Sequence, residues 1–258
     1  MSSTGRFVWF DHLTRDVAAA RDFYTAVVGW GTQAWGGGDE PYTMWTADGV
    51  PVGGLMKLPG EMEQAGTPPH WFAHVTVEDV DASARRAEEL GGRVLSPPAD
   101  IPEVGRYAVV ADPQGATISL FRPGGEGMAP DSGKPGFFGW HELHTSDHQA
   151  AWRFYSELLG WRHTATLDMG PEGEYFMFGH ADDPDAAAIG GMFDSVKRGQ
   201  LPPHWLYYVN VKDLDSAVAR TTERGGQILH GPAEVPGGGR MAMCMDPQGG
   251  PFAMYSAA

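Results

Sequence analysis

Residues 16–30 read DVAAARDFYTAVVGW, and residues 147–161 read DHQAAWRFYSELLGW. At an offset of 131, the two stretches share an aspartate, a Phe-Tyr pair and a closing Gly-Trp pair. When the residues in front of them are included, segments 7–30 and 138–161 are identical at 10 of 24 positions. The chain of 258 residues therefore contains two copies of one repeat.

A second pair of segments repeats further along each copy. Residues 68–115 and 202–249 are identical at 23 of 48 positions, including Pro-Pro-His-Trp, Gly-Gly, Gly-Arg and Asp-Pro-Gln-Gly. The linker between the copies is rich in Gly, Pro, Asp and Ser, which is typical of exposed backbone. We expect a first domain over 1–124 (modules about 7–58 and 70–122), a linker over 125–136, and a second domain over 137–258 (modules about 138–195 and 204–256).

The first module shows how each module is built. Residues 7–13 are apolar and aromatic, as expected of a strand. Asp16 is placed to cap a helix whose apolar residues recur at i, i+3, i+4 and i+7 from Ala20, and Gly29 ends that helix. Three strand-like stretches follow, and the order β-α-β-β-β occurs four times. We therefore predict an α+β chain of four βαβββ modules in tandem, with the Phe-Tyr pairs in the core and Asp-Pro-Gln-Gly in a turn.

The charge of the chain limits its partners. There are 18 basic and 33 acidic residues, so the formal net charge is 18 − 33 = −15. Phosphate recognition needs clustered Lys and Arg, and no such cluster occurs, so we expect neither a nucleic-acid partner nor binding to an anionic membrane surface. A cationic or neutral small-molecule ligand is compatible with this charge.

Sequence features also bear on location. No apolar run approaches the roughly 18 residues that cross a bilayer. The first residues, MSSTGR, lack the apolar segment of a signal peptide. Cys244 is the one cysteine, which excludes an internal disulfide and a thiolate-rich metal site. A cytoplasmic location is expected.

The order of the motifs resembles that of the vicinal oxygen chelate superfamily, which groups glyoxalases, bleomycin resistance proteins and extradiol dioxygenases. The shared pattern is a strand, Asp-x₆-Phe-Tyr-x₄-Gly-Trp, Asp-x-Asp before a helix ending in Gly-Gly, then Gly-Arg and Asp-Pro-x-Gly before a last strand. It covers almost the whole chain, twice. The resemblance implies two glyoxalase/bleomycin-resistance-like domains with curved mixed sheets enclosing a cleft. It does not select one chemistry, because one fold hosts many.

In metal-dependent members of the superfamily, His, Gln or Glu ligands project into the cleft from the first and last strands of each module. The resemblance places different residues at those positions here: Trp9 and Trp140, Met56 and Met192 or Phe193, Phe72 and Leu206, and Ser119 and Ala253. A divalent metal needs about three to six donors. We therefore expect that both halves have lost the usual metal site and that no cofactor is bound. The alternative is Zn, Ni, Fe or Mn held by Glu142 and His144, with His74 or Asp11.

Strand alternation predicts which side chains face the cleft. The candidate ligand-binding residues are Trp9, Asp11, Met56, Phe72, His74, Ser119, Trp140, Glu142, His144 and Tyr208. The candidate catalytic residues among them are Asp11, Glu142, His74 and His144. An inward acid is costly unless it is paired or solvated, so Asp11 and Glu142 either serve the site or pair with Arg106 or Arg240. His70 and His204, in the Pro-Pro-His-Trp segments, are interpreted as structural.

These residues support two hypotheses from different classes. The first is a metal-independent protein that binds an aromatic or cationic small molecule for sequestration or resistance, because the predicted cleft is aromatic with a few acids. The second is an enzyme: a metal-dependent glyoxalase-like lyase or isomerase, an extradiol-type dioxygenase, or a metal-free enzyme using an inward carboxylate or histidine as its base.

The two copies differ at the predicted cleft. Leu13 corresponds to His144, and His74 corresponds to Tyr208. We therefore expect the two clefts to be unequal, with one of them binding well. Four modules in one chain let a monomer complete the architecture, and a homodimer is the alternative.

Overall fold

A computed structural model describes residues 4–36, 42–125, 133–182, 187–195 and 202–258. The first half contains the strands β1 (Phe7–Thr14), β2 (Gly31–Trp35), β3 (Tyr42–Ala47), β4 (Val50–Lys57), β5 (His70–Thr76), β6 (Arg93–Ile101), β7 (Gly105–Ala111) and β8 (Thr117–Pro123) and the helices α1 (Val17–Val27), α2 (Gly60–Gln64) and α3 (Val80–Glu89). The second half contains the strands β9 (Phe138–Thr145), β10 (Trp161–Asp168), β11 (Glu174–His180), β12 (Gly190–Asp194), β13 (His204–Asn210), β14 (Gln227–Glu234), β15 (Arg240–Met245) and β16 (Pro251–Ser256), the helices α4 (His148–Leu159) and α5 (Leu214–Glu223), and a 3₁₀ turn (Gly170–Glu172).

The strands form two eight-stranded mixed sheets with the same topology. Their orders are β2-β3-β4-β1-β5-β8-β7-β6 and β10-β11-β12-β9-β13-β16-β15-β14. The first strand of a module pairs in parallel with its last strand, as β9 does with β12 and β13 does with β16. The predicted α+β architecture of four βαβββ modules is confirmed. The short helix α2 lies between modules and was not predicted.

Each long helix begins at an aspartate. The carboxylate of Asp16 accepts a hydrogen bond from the backbone N–H of Ala19, as predicted. Asp147, Asp79 and Asp213 cap α4, α3 and α5 in the same way. The Asp-x-Asp pattern in front of α3 offers Asp79 and Asp81 as candidate caps. The structure selects Asp79, whereas Asp81 binds Arg106. Such caps satisfy backbone donors that the first helical turn leaves unpaired.

Residue contacts group the chain into two compact units. The first unit comprises Met1–Val8, Ala73–Met128 and Trp140–Trp205, and the second unit comprises Trp9–Phe72, Ala129–Gly139 and Leu206–Ala258. The domain boundaries expected from the sequence stay a prediction, and residues 126–132 of the expected linker lie outside the described residues.

The first unit is organised around a buried polar contact. The Tyr155 hydroxyl donates to Asp112 Oδ2 over 3.2 Å and accepts from Trp205 Nε1 over 3.0 Å. Asp112 Oδ1 accepts from the backbone N–H groups of Gln114, Gly115 and Ala116, which fixes the Asp-Pro-Gln-Gly turn. The tyrosine of the repeated Phe-Tyr pair is therefore a core group and Asp-Pro-Gln-Gly forms a turn, both as predicted. The burial of the turn aspartate was not predicted.

The second unit repeats this contact with one addition. The Tyr24 hydroxyl donates to Asp246 Oδ2 over 3.1 Å and accepts from Trp71 Nε1 over 3.0 Å. The fully buried His12 also places Nε2 at 3.1 Å from Asp246 Oδ2, at ion-pair distance. In the first unit the corresponding β9 position is Leu143, which is also fully buried.

Because of this histidine, the pKa values of the two aspartates are shifted in opposite directions. Burial raises the pKa of Asp112, and its hydrogen bonds only partly oppose that effect. Burial would likewise raise the pKa of Asp246, but the hydrogen bond and charge of His12 hold it below its usual value.

No helix among the described residues is long and apolar enough to cross a bilayer.

Candidate functional site

Strand β9 presents three predicted site residues on one side. Trp140, Glu142 and His144 alternate with His141 and Leu143, so the two sets point in opposite directions. His141 stacks on Phe7 with ring centroids 3.8 Å apart, and Leu143 is fully buried. His141 therefore belongs to the core and cannot join His144 in a metal motif.

Glu142 is the centre of a hydrogen-bonded cluster. Its Oε2 accepts from the Tyr175 hydroxyl over 2.7 Å, and its Oε1 lies 2.9 Å from His144 Nε2. Trp140 Nε1 donates to the Tyr175 hydroxyl over 2.8 Å. Burial, followed by the charge of Glu142, raises the pKa of Tyr175 well above its usual value, so Tyr175 stays protonated as a donor. The carboxylate is thus held by two fixed partners.

A glycine makes room for this arrangement. Gly191 on β12 lies opposite Glu142 on β9. A Cβ atom at Gly191 would lie 2.2 Å from Tyr175 Cε1, closer than carbon atoms approach one another. The repeated Gly-Gly pair therefore lets the tyrosine ring cross the strand and reach the acid.

His144 connects the acid to two further groups. Its Nδ1 lies 3.0 Å from Ser195 Oγ. Its ring stacks on His204, with centroids 4.8 Å apart and an interplanar angle of 11°. Burial, followed by the neighbouring His144, lowers the pKa of His204 to about 4. His204 is therefore neutral near pH 7, and its Nδ1 lies 2.8 Å from the carbonyl of Pro202. We name Trp140, Glu142, His144, Tyr175, Ser195 and His204 the β9 cluster; all six lie in the first unit.

The first half builds a simpler version of this cluster in the second unit. Trp9 Nε1 donates to the Tyr42 hydroxyl over 2.8 Å and lies 3.1 Å from Asp11 Oδ1. The Tyr42 hydroxyl donates to the same carboxylate oxygen. A Cβ atom at Gly54 would overlap both Tyr42 and Asp11. Leu13 replaces the histidine, so this acid has no imidazole from the next inward position of its strand.

The remaining predicted residues lie on β4, β5, β8 and β13. His74 and Ser119 face one another on β5 and β8, and both are buried. Tyr208 on β13 is buried opposite Ala253 on β16. Met56 is 37% exposed beside Leu13. Phe72 is half-buried at the start of β5.

The alternative that Arg106 or Arg240 pairs with the inward acids is wrong. Arg106 binds Asp81 and Asp100, and Arg240 binds Asp215. These ion pairs join residues near helix starts and strand ends. Tyrosine, rather than arginine, supplies the partner of each inward acid.

The donor set of the second half does not match a chelating site. The positions that the resemblance equates with metal ligands hold Trp140, Met192 or Phe193, Leu206 and Ala253. Glu142 and His144 already bind one another. Within the described ranges, no group of three or more His, Cys, Asp or Glu side chains is placed to hold a cation. These residues therefore do not fit the metal site of chelating relatives.

Sequence reasoning missed four contributors: Tyr42, Tyr175 as a hydrogen-bond donor, Ser195 and the ring stack of His204. A signal existed for the tyrosines. Tyr42 and Tyr175 occupy equivalent third strands, and they precede a Gly-Gly pair by 11 and 15 residues, respectively. No sequence signal points to Ser195, because only the register of β9 and β12 brings it to His144.

Comparisons with known proteins agree with this architecture. The Glyoxalase/Bleomycin resistance protein/Dioxygenase superfamily profile matches residues 6–120 and 138–253. Anthracycline biosynthesis protein DnrV of Streptomyces peucetius is 36% identical over 262 residues, covering 97% of this chain and 92% of DnrV. CFP32 of Mycobacterium bovis, provisionally named a glyoxylase, is 32% identical over 252 residues, covering 97% of this chain and 94% of CFP32.

Solved structures share the fold at low identity. The Mn(II)-bound glyoxalase of Novosphingobium aromaticivorans has a TM-score of 0.65 at 18% identity, covering 99% of this chain and 83% of the other. The 2,2',3-trihydroxybiphenyl 1,2-dioxygenase of Sphingomonas wittichii has a TM-score of 0.67 at 15% identity, covering 99% and 91%. The profile match extends over both halves of the chain, which therefore belongs to the glyoxalase/bleomycin resistance protein/dioxygenase superfamily.

Proposed function

We propose that the protein binds a planar aromatic small molecule, neutral or cationic, at the β9 cluster and without a metal. The proposal rests on the Trp140 side chain, whose N–H group is hydrogen-bonded while its ring is partly exposed. Its indole N–H is already satisfied by Tyr175, while the side chain stays partly exposed. What the indole offers to a ligand is therefore its apolar ring face, held in one orientation. A preorganised aromatic surface binds with little loss of side-chain entropy.

The electrostatics of the cluster favour a cation over an anion. The Glu142 carboxylate and the Trp140 indole share the Tyr175 hydroxyl as a hydrogen-bond partner, and His204 is uncharged near pH 7. A positive group over a tryptophan face is stabilised by the ring quadrupole, and a nearby carboxylate adds to this attraction. The formal charge of −15 acts in the same direction over longer distances.

Two further findings support the proposal. In the second half, the strand positions that the resemblance equates with metal ligands carry aromatic, apolar or thioether side chains. DnrV, a relative that covers nearly the whole chain, is named for the biosynthesis of anthracyclines, which are fused-ring aromatic compounds. The first half has Leu13 at the position equivalent to His144. This difference supports one dominant site, in the second half.

A second candidate is a metal-free enzyme that uses His144 as its base. Its support is the relay in which Glu142 holds His144 Nε2 while His144 Nδ1 faces Ser195 Oγ. A carboxylate that orients an imidazole is a common arrangement for proton abstraction. Such an enzyme would exchange a ligand proton for solvent deuterium, whereas a binder returns its ligand unchanged.

Titration calorimetry tests the proposal, with 9-aminoacridine as a cationic probe and anthraquinone as a neutral one. The buffer contains EDTA at about 1 mM, a large excess over a micromolar protein, so that any metal ion is removed. We expect one site per chain and an affinity unchanged by the chelator, because no donor set for a cation takes part. Binding that disappears in EDTA and returns with zinc contradicts metal independence. If neither probe gives a heat of binding, the proposal of an aromatic ligand is contradicted.

The other expectations from the sequence stay proposals of the same kind. They are a cytoplasmic location, the absence of nucleic-acid and membrane partners, and a monomer that is complete in itself. A homodimer stays open.

A further inference from the structure

Three side chains of the first unit form a chain of carboxylate, imidazole and hydroxyl. Glu142 Oε1 lies 2.9 Å from His144 Nε2, and His144 Nδ1 lies 3.0 Å from Ser195 Oγ. An ionised carboxylate only accepts hydrogen bonds, so Nε2 of the neutral imidazole carries the proton and Nδ1 accepts from the serine hydroxyl. A nucleophile bonded to a base that a third group orients is the arrangement that activates serine, and it occurs on unrelated folds.

Neighbouring rings hold the imidazole in this orientation. His204 stacks on His144 at 4.8 Å, and Phe193 meets the same ring at 4.9 Å with an interplanar angle of 61°. His204 is neutral near pH 7, so it adds no positive charge that would oppose an imidazolium at His144. His144 is buried, whereas Ser195 at the end of β12 is partly exposed. The base is therefore fixed while the hydroxyl is accessible to a small molecule.

The two copies of the repeat differ at the imidazole and at the hydroxyl together. The equivalent strand registers place Leu13 at the position of His144 and Leu58 at the position of Ser195. The acid is kept in the first half as Asp11. The imidazole and the hydroxyl therefore occur together in one copy, and both are leucines in the other. This pattern is expected of two groups that act as one unit.

We infer that Ser195 is a nucleophile that takes the acyl group of a carboxylic ester, with His144 as its general base and Glu142 as the group that orients the base. Ser195 Oγ attacks the ester carbonyl carbon, and its proton passes to His144 Nδ1. The C–O bond to the alcohol then breaks, the alcohol leaves with that proton, and the acyl group stays on Oγ. Water attacks the acyl group with its proton passing to the same nitrogen, which releases the acid and restores the serine.

This activity goes beyond the proposed function, because it requires an ester rather than an aromatic ring. It also differs from the second candidate function. There His144 takes a proton from the ligand itself, whereas here it takes the proton of Ser195, which forms a covalent bond to the substrate.

Acylation by p-nitrophenyl acetate tests the inference. We expect a burst of nitrophenolate equal to the amount of protein, with peptide mass spectrometry locating a single acetyl group on Ser195. Ser195→Ala should abolish the burst, and Ser195→Cys should restore it, because a thiol also attacks esters. Ser216→Ala is the matched control and should leave the burst unchanged, because the Ser216 hydroxyl donates to Asp213 rather than to an imidazole.

Variants of the other two groups test their separate roles. His144→Gln removes the base and should slow the burst about 100-fold or more. Glu142→Gln keeps the shape of the side chain but not its charge, and should slow the burst by about the same factor. The ester concentration that gives the half-maximal burst rate should not change, since Glu142 acts through His144 and not on the ester. Circular dichroism checks that each variant is folded.

The outcomes separate this inference from the proposed function. An acetyl group on another side chain, or a burst that survives Ser195→Ala, overturns the inference. Binding of 9-aminoacridine is measured independently by calorimetry. A burst without binding of that probe therefore overturns the proposed function alone, and binding without a burst overturns this inference alone.

Discussion

Replacing Asp246 with asparagine is expected to lower the free energy of unfolding by about 3 kcal/mol at pH 7, because it removes the carboxylate that lies 3.1 Å from the fully buried His12 Nε2. The same change at Asp112 should cost about 1 kcal/mol or less. Asparagine at 112 keeps an acceptor for the three backbone N–H groups of the turn and removes a carboxylate that burial disfavours. Urea unfolding of the two variants measures both values.

The pH dependence of the two aspartates has opposite signs. The folded-state pKa of Asp246 is lowered, so its contribution is present above the unfolded-state pKa and is lost as the pH falls through the folded-state value. The folded-state pKa of Asp112 is raised, so its contribution is present below the unfolded-state pKa and is lost as the pH rises through the folded-state value. Asp246→Asn should therefore flatten the acid loss of stability, whereas Asp112→Asn should steepen it. Equal costs and parallel pH profiles would mean that His12 contributes no ion pair.

Replacing Glu142 with alanine is expected to weaken binding of 9-aminoacridine by about 10- to 100-fold, the usual effect of losing a hydrogen-bonded charge. The loss has two causes. The negative charge beside Trp140 disappears, and Tyr175 and His144 lose the acceptor that orients them. Glu142→Gln keeps the shape and an acceptor for Tyr175, so it isolates the charge and should cost about tenfold. Calorimetry on each variant provides the measurement.

The chain contains its own control for this experiment. Asp11→Asn alters the equivalent acid of the first half, where Leu13 replaces the histidine. If the second half is the dominant site, this variant should bind within about twofold of the unaltered protein. Equal losses in both halves would show that the two clefts are equivalent. Circular dichroism of each variant separates lost binding from lost folding.

The sequence predicts the architecture well because the repeat exposes periodic and capping signals twice. Asp16 and Asp147 cap their helices, and Tyr24 and Tyr155 fall on buried helical faces. Strand parity also orders β9 correctly, separating His141 from His144. These are local properties, set by spacing along one element.

The contacts of the site depend on pairing between elements, which spacing does not reveal. An inward acid needs a partner, and the sequence offered arginines for that role. The partners are instead Tyr42 and Tyr175, from strands two positions away in each sheet order. The decisive residues are Gly54 and Gly191, whose missing side chains let the tyrosines pass. Ser195 reaches His144 through the same non-local register.

The proposed function depends on the β9 cluster binding an aromatic ring and no metal. Anomalous diffraction from crystals grown with 9-aminoacridine and soaked in zinc tests it most directly. We expect density for the planar ring against Trp140, with no zinc peak bound by Glu142 and His144. A fully occupied zinc at about 2.0–2.2 Å from Glu142 and His144 would contradict it.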